Sequence, residues 1–150
     1  MLNVKNLVKI AITASIYTAL VWSLAPISFG QIQIRVANAL IGLVPIMGMP
    51  AALGITLGVL LGNIMSPLGP IDLLSAIPTF ISLMILLKLK RVLLGLIIYS
   101  IILSAWVGLL LNYAFGVPFI IAFPYLLIGI GIATIGLGYL LYSVAKRLKL

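Results

Sequence analysis

A small set of polar side chains stands out in this apolar chain as a possible binding site for a small molecule. Arg35 is a cation away from the clusters of Lys and Arg, and Asp72 is the one carboxylate of the sequence. Asn38 follows Arg35 by one helical turn and Gln31 precedes it by one, so on a helix all three share a face. The candidate site comprises Gln31, Arg35, Asn38, Asn63, Asp72 and Thr79.

Guanidinium, amide and carboxylate groups are planar and form paired hydrogen bonds, which suits a flat ligand such as a nucleobase. Ionisable residues near a membrane interior are costly and suggest a functional site. We expect aromatic rings to surround this patch: Tyr17, Trp22, Phe29 and Tyr113. A direct ion pair between Arg35 and Asp72, which would pin two loops together, remains an alternative.

The composition excludes most catalytic chemistry. The sequence contains no Cys and no His, so thiol nucleophiles, imidazole bases and their zinc sites are absent. A single carboxylate provides neither a catalytic pair nor a metal cage, and no phosphate-binding GxxxxGK[ST] motif occurs. We therefore predict a protein that is not an enzyme and that needs neither metal nor cofactor.

Hydrophobic residues make up 65% of the sequence and charged residues 7%, with a mean hydropathy of +1.42. A soluble domain has roughly 25% charged residues, so this composition indicates a multi-pass protein of the cell membrane. A spanning helix needs about 20 residues. The 150 residues therefore accommodate about six spans, and we predict one transmembrane domain over residues 1–150.

The apolar runs and the turn residues between them predict six helical segments. Their bounds are 10–26, 34–47, 51–65, 71–87, 92–111 and 119–144. The second and third segments have about 15 residues and reach roughly 22 Å, less than the hydrocarbon thickness. Two interpretations stay open for them: short helices buried in a bundle or beside a cavity, and ordinary spans with poorly defined ends.

The positive charges predict the orientation. Cytoplasmic loops carry an excess of Lys and Arg, and six spans with both termini in the cytoplasm place eight of the nine cations on that side. The cytoplasmic set is Lys5, Lys9, Lys88, Lys90, Arg91, Lys146, Arg147 and Lys149. Arg35 alone lies outside. The net charge of +8 thus follows from topology and does not indicate a nucleic-acid partner.

Small residues repeat every four positions on two segments, a pattern that allows close approach of helices in lipid. On the third segment they are Gly54, Gly58 and Gly62, which we expect to pack within the bundle. On the first segment they are Ala11, Ser15 and Ala19. That second face is equally suited to packing and to docking another membrane subunit.

Two stretches resemble the QueT family. They are residues 25–40, APISFGQIQIRVANAL, and residues 62–72, GNIMSPLGPID, from which the likeness continues to Thr79. The motif is Phe-Gly-x-Ile-Gln-x-Arg followed by a Leu-Gly-x-x-Asp loop. The resemblance covers roughly residues 10–90, whereas the last third is similar in hydropathy alone.

The resemblance implies a substrate-binding S component of an energy-coupling-factor transporter, with six helices and cytoplasmic termini. Such subunits capture a vitamin-like molecule from outside and associate with a transmembrane coupling subunit and two cytoplasmic ATPases. The first helix would dock through Ala11, Ser15 and Ala19, and the expected substrate is a queuosine precursor, a deazaguanine base. The family usually has Glu where this chain has Asn38. A scaffold without transport activity and a proton-coupled exporter using Asp72 are the alternative functions.

Overall fold

A computed structural model of the protein describes residues 3–148, so Lys149 of the predicted cytoplasmic set lies outside the described residues. Every regular element in this range is helical. Six helical segments follow one another: α1 (Val4–Ser23), α2 (Val36–Met47), α3 (Met49–Met65), α4 (Gly69–Lys88), α5 (Val92–Phe115) and α6 (Phe119–Arg147). A one-turn helix, Ala25–Ser28, lies in the connection between α1 and α2.

The all-helical prediction is confirmed, and each of the six predicted segments corresponds to a helix. Four of them, α1, α4, α5 and α6, are long and apolar enough to cross a membrane, whereas α2 and α3 are shorter. The largest difference lies at the start of α1, which begins at Val4 and not near residue 10. The Asn3 side chain accepts a hydrogen bond of 2.9 Å from the Asn6 amide and so caps the helix earlier.

Large apolar side chains cover much of the outer surface of the bundle. Two of the most exposed are Val4, at 75%, and Ile120, at 85%. A soluble protein rarely exposes contiguous apolar surface on this scale. With the four long apolar helices, this surface indicates a multi-pass membrane protein whose outer faces meet lipid.

Glycine residues of α3 bring its backbone against α1. A methyl group at Gly58 would lie 2.7 Å from the Tyr17 Cβ, and Gly54 faces Thr13 in the same way. The Thr18 hydroxyl donates to the Gly58 carbonyl at 3.4 Å, across the same contact. The expectation that the glycine face packs inside the bundle is confirmed.

The small residues Ala11, Ser15 and Ala19 lie on the opposite side of α1, where all three are exposed. None of them contributes to the packing of α1 on α3. This face is therefore free along the surface that would meet lipid or another membrane protein.

Three irregular helical segments of six to eight residues occur in α2, α4 and α6. Val36–Leu43 at the start of α2 and Gly69–Ser75 at the start of α4 are 3₁₀ helices, and Ile132–Leu137 in α6 is a π-helix. Such runs are uncommon at this length and often mark functional regions. The α2 3₁₀ segment packs on the π segment of α6. Backbone contact is so close there that a methyl group on Gly42 would overlap the Gly138 carbonyl.

Candidate functional site

The molecule has a large cavity at one end, which we call the outer chamber. Its volume is about 460 Å³, within the range of roughly 300–1,000 Å³ that small-molecule pockets show. The α1–α2 loop, the α3–α4 loop and the facing ends of α5 and α6 form its walls. Its lining consists of Phe29, Gly30, Gln31, Ile32, Gln33, Pro67, Leu68, Leu111, Phe115, Val117, Ile121, Ala122 and Tyr125.

A second, polar cavity adjoins the first and is called here the inner cavity. It measures about 20 Å³, which is space for about one water molecule. Its lining consists of Gln33, Arg35, Asn38, Ser75, Thr79, Tyr99, Leu103, Val107 and Ile130. Gln33 borders both cavities, so the two spaces adjoin at this residue.

Three of the six predicted site residues, Arg35, Asn38 and Thr79, line the inner cavity. Gln31 is exposed and lines the outer chamber. It does not share a helical face with Arg35, because α2 begins only at Val36. That part of the sequence interpretation was wrong.

Gln33 of this loop also lines the inner cavity, and sequence reasoning missed it. It is 6% exposed and has a left-handed backbone conformation with φ of 50°. The backbone N–H of Gln33 donates to the Gly30 carbonyl at 3.1 Å and closes a tight turn. Hydropathy carries no signal for such a turn. The alternation Gln31-Ile32-Gln33 did offer two polar candidates for the position.

Asn63 and Asp72 border neither cavity, and together they fasten the α3–α4 connection. The Asn63 side-chain amide donates to the Asp72 backbone carbonyl at 2.9 Å. The Asp72 carboxylate, only 2% exposed, accepts a hydrogen bond of 2.6 Å from the Ser75 hydroxyl. This buried position away from both cavities does not favour an exporter that uses Asp72.

Arg35 and Asp72 contact different groups in the described residues 3–148. The Arg35 guanidinium lies over the Phe29 ring, 5.2 Å from its centre, in a cation–π arrangement. The hydrogen bond of the Asp72 side chain comes from Ser75. These contacts therefore do not support the alternative of a direct ion pair between Arg35 and Asp72.

Tyr17 does not line the inner cavity but holds one of its lining residues, Asn38, in place. Its side chain is fully buried, and its hydroxyl donates to the Asn38 side-chain oxygen at 2.6 Å. Of the other three aromatic residues expected around the site, only Phe29 lies there. Phe29 does lie beside Arg35, whereas the Trp22 indole donates to the Gly62 carbonyl and Tyr113 is 79% exposed. The last two do not surround the polar site.

Ser75 and Tyr99 complete the polar lining, and sequence reasoning missed both. Ser75 follows Asp72 by one helical turn, and this spacing was a usable signal. Trp106 on α5 donates to the Ser75 hydroxyl oxygen at 3.0 Å and ties α5 to α4. Tyr99 lies within the strongly apolar α5. Small residues repeat there every four positions and are buried with Tyr99: Ser100, Ser104 and Gly108. This small-residue pattern was a usable signal for the inward side of the helix.

The outer chamber and the basic residues lie at opposite ends of the helices. The chamber is bordered by the segment after α1, the start of α4, the end of α5 and the start of α6. The other end of each of these helices carries exposed cations within the described residues: Lys5, Lys9, Lys88, Lys90, Arg91, Lys146 and Arg147. Arg35 is thus the exception at the chamber end.

Apolar helices long enough to cross a membrane, together with a chamber and an adjoining polar cavity, define a multi-pass membrane protein with space for a small molecule. The family model described as QueT transporter matches residues 7–147, and the chain belongs to that family. No curated protein matches the chain, and no solved structure matches it. Family membership implies a membrane transporter of a small substrate rather than an enzyme.

Proposed function

We propose that the chain is the substrate-binding S component of an energy-coupling-factor transporter and captures its substrate from outside the cell. One observation carries the proposal: a chamber of about 460 Å³ opens at the end of the bundle opposite the basic clusters. Basic clusters mark the cytoplasmic side of membrane proteins. The chamber end is then the outer end.

The same charge distribution supports six membrane spans with both termini in the cytoplasm. The basic ends of α1 and α6 lie on the side of the α4–α5 junction, where Lys88, Lys90 and Arg91 cluster. The helices α2 and α3 complete an even number of crossings. They are short, but α3 packs on α1 and α2 packs on α6, so both would belong to one transmembrane substrate-binding domain.

For the ligand, we propose a queuosine-precursor-like deazaguanine or a related flat molecule. Its ring would occupy the outer chamber near Gln31, and one polar edge would reach the inner cavity with Arg35, Asn38 and Thr79. Asn63 and Asp72 would hold the α3–α4 wall in place. Asn38, which stands where the family usually has Glu, presents an uncharged amide to the ligand.

For the partners, we propose a transmembrane coupling subunit and two cytoplasmic ATPases. The exposed face of Ala11, Ser15 and Ala19 on α1 has the small side chains that permit close helix packing in lipid. Release of a tightly held ligand requires energy. ATP hydrolysis by the partner subunits would supply it at the cytoplasmic membrane.

A bulky side chain on this face tests the proposal. The wild-type chain, expressed with the coupling subunit and the ATPases, is expected to purify with these partners and with a deazaguanine detected by mass spectrometry. In Ser15→Trp the partners are expected to be lost while the ligand is retained, because the docking face and the chamber are separate. The matched control is Ile120→Trp, which changes a lipid-exposed position on α6.

Ile120→Trp is expected to keep both partners and ligand. The proposal is wrong if the wild-type protein carries no small molecule and binds no partner. Loss of partners in both tryptophan variants would show that the small-residue face has no special role.

A further inference from the structure

We propose that the inner cavity recognises a lactam edge, an N–H donor beside a C=O acceptor, because two of its walls have fixed and opposite hydrogen-bonding character. This inference rests on the proposed substrate-binding function and concerns the part of the ligand that the cavity selects. The cavity holds only about one water molecule. It therefore accommodates one edge of a ligand whose ring lies in the outer chamber.

The α4 wall presents hydrogen-bond acceptors. The Ser75 hydroxyl gives its hydrogen to Asp72 at 2.6 Å and receives the Trp106 indole N–H at 3.0 Å. A hydroxyl has one hydrogen and two lone pairs, so one lone pair of Ser75 remains for the cavity. The Thr79 hydroxyl gives its hydrogen to the Ser75 carbonyl at 2.8 Å. It likewise faces the cavity as an acceptor.

The α2 side presents donors. The Arg35 guanidinium has N–H groups and no acceptor. The side-chain oxygen of Asn38 already receives the Tyr17 hydroxyl at 2.6 Å, which leaves its NH₂ group for the cavity. Gln33 and Tyr99 also line the cavity and can donate or accept. A ligand carbonyl then faces Arg35 and Asn38, and the adjacent N–H faces Ser75.

In this arrangement Asp72 is a positioning residue. It does not border the cavity, and it acts through the hydrogen of Ser75. A carboxylate can only accept hydrogen bonds, so it holds the Ser75 hydroxyl in one orientation. An asparagine at position 72 can present its NH₂ group to Ser75. The serine hydroxyl is then free to turn its hydrogen towards the cavity.

A matched pair of ligands tests the inference: 7-deazaguanine and 2,6-diamino-7-deazapurine. They differ only at the edge, where the first has C=O beside N–H and the second has NH₂ beside a bare ring nitrogen. We expect the purified wild-type protein to bind the first about 10- to 100-fold more tightly by calorimetry, since a site left with unpaired buried groups rejects the mismatched edge. In Asp72→Asn we expect this ratio to fall to within about threefold of unity.

Trp106→Phe is the control, because it removes a donor to Ser75 and leaves the serine acceptor in place. The ratio of its affinities for the two bases is expected to equal that of the wild type. A general loosening of the α4–α5 contact would instead change this ratio. Equal binding of the two bases by the wild-type protein would overturn the inference and leave the transport function standing. Equal ratios in Asp72→Asn and wild type would overturn the role of Asp72. Binding of neither base would overturn both the inference and the proposed ligand class.

Discussion

Replacement of Arg35 by alanine is expected to weaken 7-deazaguanine binding by about 10- to 100-fold. A hydrogen bond to a charged group contributes about 1.5–3 kcal/mol, and every 1.4 kcal/mol corresponds to about a factor of ten. Arg35 lines the inner cavity and lies over the Phe29 ring, and in the proposed binding mode its guanidinium donates to the ligand carbonyl. Calorimetry on the purified protein measures the change.

The fold should survive this substitution, because the Arg35 guanidinium lies over the Phe29 ring at 5.2 Å, and a cation–π contact contributes only about 0.5–2 kcal/mol. Arg35→Lys keeps the charge and loses the planar fork, so its affinity should lie between those of the alanine variant and the wild type. Arg91→Ala, an exposed cation at the opposite end, should bind normally. Equal affinities for Arg35→Ala and Arg91→Ala would remove Arg35 from the site.

Replacement of Gly129 by alanine should disturb the site from a distance. A methyl group there would overlap the backbone carbonyl of Ile32, and a backbone atom cannot rotate away as a side chain can. The loop must shift and take Gln33 and Arg35 with it. We expect at least a tenfold loss of affinity and a stability loss of about 1–3 kcal/mol, typical of overpacking.

Gly131→Ala is the matched control for this effect. It lies on the same helix, and its nearest neighbour is the Ile135 Cδ1 at 3.8 Å, an ordinary contact. Alanine is a better helix former than glycine by about 1 kcal/mol, so this variant should be at least as stable as the wild type. If both alanine variants melt alike and bind alike, the loop is not held against α6 in the way the structure shows.

Hydropathy and turn residues were sufficient to predict the helices, because lipid requires long apolar helical runs with satisfied backbone groups. The geometry of the site was predicted less well where the backbone departs from a regular α-helix. Gln31 was placed on one face with Arg35 by assuming a regular α-helix. Instead the chain turns at Gln33, and α2 starts at Val36 as a 3₁₀ helix.

Tertiary contacts account for the other differences. Asp72 was expected to bind ligand directly, since a lone carboxylate in an apolar chain is conspicuous. The sequence does not show that its side chain turns to Ser75 and borders neither cavity. Tyr99 was missed for the opposite reason. Its neighbours on α5 are mostly apolar apart from Ser100 and Ser104, and the hydropathy pattern does not show that the tyrosine lines a cavity.

The orientation of the chain in the membrane is open to a direct measurement. Since the sequence has no cysteine, single cysteines can be introduced without background: Gln31→Cys in the outer chamber and Lys90→Cys at the basic end. An impermeant maleimide applied to intact cells should label Gln31→Cys, with protection by 7-deazaguanine. It should reach Lys90→Cys only after the membrane is opened. Labelling of Lys90→Cys in intact cells, with Gln31→Cys unreactive, would contradict capture of substrate from outside.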